Sequence, residues 1–259
     1  MAKSKKVLLT REDNSAVAEI LKSKGVGAIE LPLVKINLQA EEDELRDVFA
    51  EMGRYDWLTF SSVNGVRGFF GEFLKSFDDI RALGIARIAC VGEATARELK
   101  KYFLRADVVP EISTAENMAQ AMADYETLEN LKILCIIGNL AGNELFDALE
   151  KKRAIVDALE VYKTEIARVE KDCAAAAEFR KTGADAVVFA SPSAVEGFAK
   201  NAENLALSAK AVRPKIVAIG AKTAATVEKF GMKVAAQAKN PSPEAVAEAV
   251  LSAVGISEK

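Results

Sequence analysis

The feature that most restricts the fold is a self-similarity within the chain. The stretch DWLTFSSVNGVRGF at Asp56–Phe69 is matched by DAVVFASPSAVEGF at Asp185–Phe198, with Asp, Phe, Ser, Val, Gly and Phe in the same places. A second block, Ile88-Ala-Cys-Val-Gly92-Glu-Ala-Thr95-Ala96, matches Ile216-Val-Ala-Ile-Gly220-Ala-Lys-Thr223-Ala224, and Glu116 falls opposite Glu244. The offset is 128–129 residues throughout. Three blocks in one register point to duplication of a unit, beyond the punctuation that all α/β chains share. A chain of 259 residues holds two such units, each of ordinary domain size.

Within each copy, short apolar runs alternate with longer amphipathic stretches. Strands are predicted at Val7–Thr10, Ala28–Leu31, Trp57–Ser61, Ile85–Val91, Ala106–Val109, Ile133–Ile137, Ile155–Val161, Ala186–Ala190, Ile216–Ile219 and Val234–Gln237. Helical periodicity marks Ser15–Lys24, Glu42–Met52, Ala94–Phe103, Ala115–Leu128 and Glu244–Val254. Continuous apolar strands interleaved with helices imply parallel sheets covered on both faces. The first copy continues into a strand and helix, Ile133–Ile137 and Leu140–Lys151, that the second copy lacks, whereas the N-terminal unit Val7–Lys24 has no match. The economical arrangement is circular, with the N-terminal unit completing the C-terminal lobe. The expected fold is therefore α/β, with two doubly wound parallel-sheet lobes from an internal duplication, joined by two extended linkers. The expected lobes are 1–35 with 167–259, and 38–160, with crossings near 31–37 and 160–167 acting as a double hinge.

Composition excludes several chemistries. Without histidine, the chain has no imidazole base for a triad and no His-ligated zinc or haem. A net charge of −3 argues against nucleic acid as the main partner. Cys90, Cys135 and Cys173 are scattered and lack any CxxC pairing, which reads as reduced core cysteine and no metal site. The basic start MAKSKKVLLTRED has too short an apolar run for a signal peptide, and no run approaches a membrane span. A cytoplasmic location without membrane contact is expected.

Ligands of open parallel sheets bind beyond the carboxyl ends of the strands. Six strand-to-helix turns have suitable chemistry: Thr10-Arg11, Ser61-Ser62-Val63-Asn64, Gly92-Glu-Ala-Thr95, Gly138-Asn139-Leu-Ala-Gly142-Asn143, Ser191-Pro192-Ser193 and Gly220-Ala-Lys-Thr223. Small residues let a ligand near the backbone, and free N–H groups with the helix dipole favour carboxylate or phosphate. The plainer alternative for each turn is helix capping by Ser62, Asn64, Ser191 or Ser193 and tight turning at Gly92 or Gly220. Neither Gly138 nor Gly92 nor Gly220 opens a P-loop or a G-x-G-x-x-G, so a nucleotide cofactor has no motif. Arg11 is placed for a charge-assisted anion contact, against the alternative of a surface ion pair. Tyr162 stands at the expected second crossing, where its phenol could donate a hydrogen bond or pack on the hinge. Trp57 is expected in the core, and Lys151-Lys152-Arg153 at a solvated helix end.

Taken in order, Thr10-Arg11, TFSSVNGV (Thr59–Val66), CVGEATA (Cys90–Ala96), EVYKT (Glu160–Thr164), FASPSAV (Phe189–Val195) and AIGAKTAATVEKFG (Ala218–Gly231) resemble the uroporphyrinogen-III synthase family over nearly the whole chain. The resemblance implies two α/β lobes, one built from both chain ends, with no metal and no organic cofactor. It implies a monomer whose small-molecule substrate is the linear tetrapyrrole hydroxymethylbilane. Loss of the ring A hydroxyl would give an azafulvene cation. Attack by the substituted carbon of ring D would give a spiro-pyrrolenine, which fragments and recloses with ring D inverted. On this reading Tyr162 assists departure of the hydroxide. Substrate would be held by Arg11, Ser62, Asn64, Thr95, Gly138, Asn139, Ser191, Ser193, Gly220 and Thr223. Two departures stand out: Asn143 where the family often carries arginine, and no glycine where the helix ends at Lys152-Arg153. The alternatives weighed are a non-catalytic bilobed binding protein for an organic anion and, without a phosphate motif to support it, a phosphosugar or nucleotide enzyme.

Overall fold

The computed structural model describes residues 5–256. Along the chain run β1 (Lys6–Leu9), α1 (Ser15–Ser23), β2 (Gly27–Glu30), β3 (Val34–Leu38), α2 (Glu42–Ala50), β4 (Trp57–Phe60), α3 (Val63–Ser76), β5 (Arg87–Cys90), α4 (Glu93–Leu99) and α5 (Ala115–Tyr125). They are followed by β6 (Lys132–Gly138), α6 (Glu144–Glu150), β7 (Ile155–Ile166), α7 (Ala174–Thr182), β8 (Ala186–Phe189), α8 (Pro192–Lys200), β9 (Lys215–Ala218), α9 (Ala221–Lys229), β10 (Val234–Gln237) and α10 (Pro243–Val254). Contacts divide the chain into two compact units. One runs to Lys35 and resumes at Glu165, and the other is Ile36–Thr164.

Each unit holds one sheet, in the order β10-β9-β8-β1-β2 for the first and β3-β7-β6-β4-β5 for the second. The central strands pair in parallel. Helices cover both faces, because fully apolar strands such as β4 and β8 must be buried on each side. In the first unit α1 and α10 bury one face and α7, α8 and α9 the other. In the second, α2 and α3 cover one face and α5 and α6 the other. Trp57 is fully buried and its indole N–H donates to Glu126 at 2.8 Å. Among the described residues no helix is long and apolar enough to cross a membrane.

The matched blocks occupy matching places. Before β4, Asp56 accepts from the Lys132 amide through its carboxylate (2.8 Å), and its own amide donates to the Lys132 carbonyl (2.8 Å). Before β8, Asp185 makes the same pair with Lys6, at 2.9 and 2.7 Å. These two aspartates set the register of the strand beside them. The shared glycines have an equally concrete role: a Cβ on Gly68 would stand 2.5 Å from the Val161 carbonyl, and one on Gly197 2.5 Å from that of Leu33. Each glycine lets its helix pack directly on an extended segment where the chain nears the boundary of the units.

The structure corrects several expected elements. Ala106–Val109 is not a strand but meets β5 through the single bridge Ala89–Val108, whereas its counterpart β10 pairs with β9 along its length, with a register shift between Val234 and Ala236. The strand expected from Ile85 begins at Arg87, and Ile85 itself is exposed. The helix expected to reach Phe103 leaves α geometry after Leu99, and Phe103 turns left-handed (φ 61°) and exposed. The helix expected through Leu128 stops at Tyr125. Val34–Leu38, read as part of a crossing, is itself a strand beside β7. Where glycine was expected after α6, Arg153 adopts the left-handed conformation (φ 62°). That backbone geometry suits glycine best, so the turn persists at some cost in strain.

Candidate active site

The candidate residues fall at the carboxyl ends of the strands in both units, and each set is described within its own unit. In the second unit, Ser62 is the N-cap of α3, and its Oγ accepts from the Gly65 amide at 2.9 Å. The same hydroxyl donates to Tyr162 Oη at 3.1 Å. Asn64 lies in the first turn of α3. Tyr162 is half-buried in β7, where it is the register partner of Gly138, the last residue of β6. A Cβ built on Gly138 would run into the Tyr162 ring carbons, so the phenol lies directly over this backbone. Asn139 turns its side chain to Thr164: Oδ1 accepts from the Thr164 amide at 2.8 Å and Nδ2 donates to its carbonyl at 3.3 Å. The Asn139 amide thus extends the sheet beyond the last backbone rung.

β5 ends at Cys90, and α4 starts from Gly92 without a side-chain cap. Thr95, in the first turn, is 4% exposed. Burial pushes the Cys90 thiol up to about 12, with the neighbouring Glu93 charge adding to it. Burial likewise raises Cys135 to about 12. Neither supplies a thiolate nucleophile near neutral pH.

In the first unit, Thr10 is buried and donates to the Val188 carbonyl at 2.6 Å, tying the end of β1 to β8. Arg11 follows, exposed. Ser191 caps α8 by accepting from the Ala194 amide (3.1 Å), and its Oγ lies 2.9 Å from that of Ser193. Gly220 opens α9 without a side-chain cap, and a Cβ there would meet no atom of the described residues within 4 Å. Thr223 is 3% exposed, the counterpart of Thr95.

Two kinds of helix start therefore stand side by side in each unit. α3 and α8 satisfy an N–H group with serine, as expected of caps. α4 and α9 begin at glycine, so the N-cap residue itself supplies no side-chain acceptor. The start of α9, at the positive end of its dipole, suits a carboxylate. Arg11, Ser191, Ser193, Gly220 and Thr223 gather at the ends of the adjacent strands β1, β8 and β9. Ser62, Asn64, Thr95, Gly138, Asn139 and Tyr162 gather at the ends of β4, β5, β6 and β7. Among the described residues no group of His, Cys, Asp and Glu is placed to hold a metal ion.

Sequence reasoning missed the contacts linking Ser62, Gly138 and Tyr162, which come from three separate segments. The repeated Asp56/Asp185 and Gly68/Gly197 were visible in the matched blocks, but only the register shows what they do.

The chain is similar to known proteins over most of its length. The model of the family described as uroporphyrinogen-III synthase HemD matches residues 15–248. A porphyrin biosynthesis protein HemD of Ruminiclostridium josui is 26% identical over 88% of this chain, which spans 44% of that longer protein. A uroporphyrinogen-III synthase of Chlorobaculum parvum is 25% identical, with 89% of this chain and 91% of the relative covered. The crystal structure of the uroporphyrinogen-III synthetase of Helicobacter pylori shares the fold with a TM-score of 0.64 at 16% identity, covering 96% of this chain and 99% of that one. With the family match running through both units, the chain belongs to the uroporphyrinogen-III synthase family.

Proposed function

We propose that this chain closes hydroxymethylbilane to uroporphyrinogen III with inversion of ring D. The observation that carries the reading is the phenol of Tyr162, hydrogen-bonded to Ser62 and seated over Gly138 at the strand ends of its unit. The substrate's carboxylates suit backbone amides at helix N-termini. In this reading the amides following Gly92 and Gly220 grip side-chain carboxylates, with Thr95 and Thr223 beside them. Arg11, Ser191, Ser193 and Asn64 add contacts. Ser62, Gly138 and Asn139 stand beside Tyr162 at the same strand ends.

Tyr162 gives its proton to the departing ring A hydroxide, which leaves as water, and the phenolate regains a proton from the ring carbon at the end of the reaction. The resulting azafulvene is attacked by the substituted carbon of ring D. After the spiro intermediate fragments and recloses, the surplus ring proton is lost and one water has been released overall. The substrate sheds its hydroxide readily, so the protein's contribution is orientation and electrostatic stabilisation. Donation by Tyr162 belongs at the weak end of acid catalysis. A monomer acting in the cytoplasm fits this reading, and the reducing compartment is supported by the free, buried Cys90 and Cys135. Family membership weighs against the non-catalytic binder. The test is incubation with freshly generated hydroxymethylbilane, oxidation, and chromatographic separation of the isomers. Type III is expected above the spontaneous type I background, and type I alone would refute the proposal.

A further inference from the structure

We propose that Gly138 and Ser62 are positioning residues that act through Tyr162, and not direct contacts to substrate. The proposal rests on the reading of Tyr162 as the proton donor. Gly138 ends β6 opposite Tyr162 in β7, and the space where a side chain would project is filled by the Tyr162 ring. The Asn139 amide donates to the Tyr162 carbonyl at 3.2 Å, and the Asn139 side chain binds Thr164 two residues on, so the backbone on which the ring sits is fixed from both sides. Any residue other than glycine at position 138 pushes the ring off this backbone.

Ser62 then sets the phenol's hydrogen-bonding role. Its oxygen is held by the Gly65 amide, and its proton goes to Tyr162 Oη. A phenol that accepts from serine keeps its own proton for another acceptor. The arrangement therefore presents Tyr162 as a donor in one orientation. Serine at this position does two jobs, capping α3 and aiming the phenol, whereas its counterpart Ser191 caps α8 and meets the hydroxyl of Ser193.

The experiment uses the full chain with tyrosines labelled in the ring, and Tyr162 is assigned among the four tyrosines through its loss in Tyr162→Phe. Gly138→Ala is expected to shift the Tyr162 ring signal. It should lower kcat by roughly the ~10- to 100-fold of a lost weak acid, with KM little changed. In a Tyr162→Ala background, where the ring is gone, Gly138→Ala should cost no further turnover. Ser62→Ala should lower kcat, and Ser62→Thr, which keeps both the hydroxyl and the cap, should restore most of it. An unshifted Tyr162 signal in Gly138→Ala, or a further loss in the Tyr162→Ala background, overturns the proposal even where Tyr162→Phe is slow. Full turnover by Tyr162→Phe overturns the donor reading itself, and the ring signal still reports whether Gly138 seats the phenol. Should Gly138→Ala fail to fold, the Ser62→Ala and Ser62→Thr pair decides: equal kcat in the two refutes the proposal.

Discussion

Phe60 meets Phe69 edge to face at 5.7 Å in one unit, and Phe189 meets Phe198 in the same way at 5.4 Å in the other. From this shared pair the units diverge. The second surrounds it with Phe49, Phe70, Phe73, Phe77 and Tyr102. Where it has Phe70 and Phe73, the first has Ala199 and Ala202, and it draws much of its burial from the Ala- and Val-rich face of α10. The strand ends diverge as well. A Cβ on Gly92 would stand 2.6 Å from Ser113 Oγ, whereas the same place at its counterpart Gly220 is open, and in the second unit Tyr162 lies over Gly138 and Asn139 binds Thr164. The contrast teaches that one frame can be kept by a few register residues while the ends of its strands are refitted. In the proposed reading, Gly220 belongs to substrate binding and Tyr162 to proton donation.

The largest expected effect tests the divergence in the cores. Phe70 is fully buried and stacks on Tyr102 at 4.4 Å. Phe70→Ala should destabilise the second unit by about 3–5 kcal/mol, seen in denaturant unfolding as an early transition that leaves the first unit folded. A loss below 1 kcal/mol would show that the aromatic cluster is not what holds this unit. Next comes the shared frame. Gly68→Ala and Gly197→Ala each drive a methyl against a carbonyl 2.5 Å away, so each should cost about 1–3 kcal/mol. Nearly equal losses are expected, and a large inequality would break the equivalence of the two positions.

A smaller effect separates the units by pH. Glu98 is 8% exposed in α4; its counterpart in α9 is Thr226. Burial alone would raise its pKa, but hydrogen bonds from Arg67 and Lys101, both at 2.9 Å, outweigh it and hold the carboxyl below its ordinary 4.5. Because the folded value is depressed, the stabilisation is present in full above 4.5 and fades as pH falls through the folded value. The second unit should therefore lose stability on this acid limb, and Glu98→Gln should flatten the limb. An unchanged acid limb would remove Glu98 from the account. The smallest expected effect is chemical: with thiols pushed up to about 12, Cys90 and Cys135 should resist alkylation in the native state at pH 8. Rapid labelling, read by mass spectrometry, would show opening that the packing does not suggest.

Much of this frame was legible in the sequence because it rests on local signals. Strand runs such as Trp57–Phe60 and Ala186–Phe189 are continuous and apolar, and Ser62 and Ser191 stand where helix caps belong. The errors fell where tertiary context prevails. Ala106–Val109 resembles a strand yet makes only one bridge, and Phe103, apolar enough to extend a helix, turns left-handed and faces solvent. The candidate residues were legible as turn chemistry, but their roles were not. Nothing local announces that Gly138 is the register partner of Tyr162 or that the Asn139 side chain binds Thr164. Such roles depend on pairings between β6 and β7, which no local pattern encodes.

The division of labour between holding and acting is tested most directly by isomer-resolved steady-state kinetics on hydroxymethylbilane, comparing Tyr162→Phe with Gly220→Val. Gly220 has extended backbone (φ −174°) and open space around its Cβ position, so valine can be placed without strain. The account predicts that Tyr162→Phe loses kcat while its enzymatic product stays type III, and that Gly220→Val raises KM with kcat largely kept. A KM effect confined to Tyr162→Phe, together with unaltered kinetics in Gly220→Val, would contradict it.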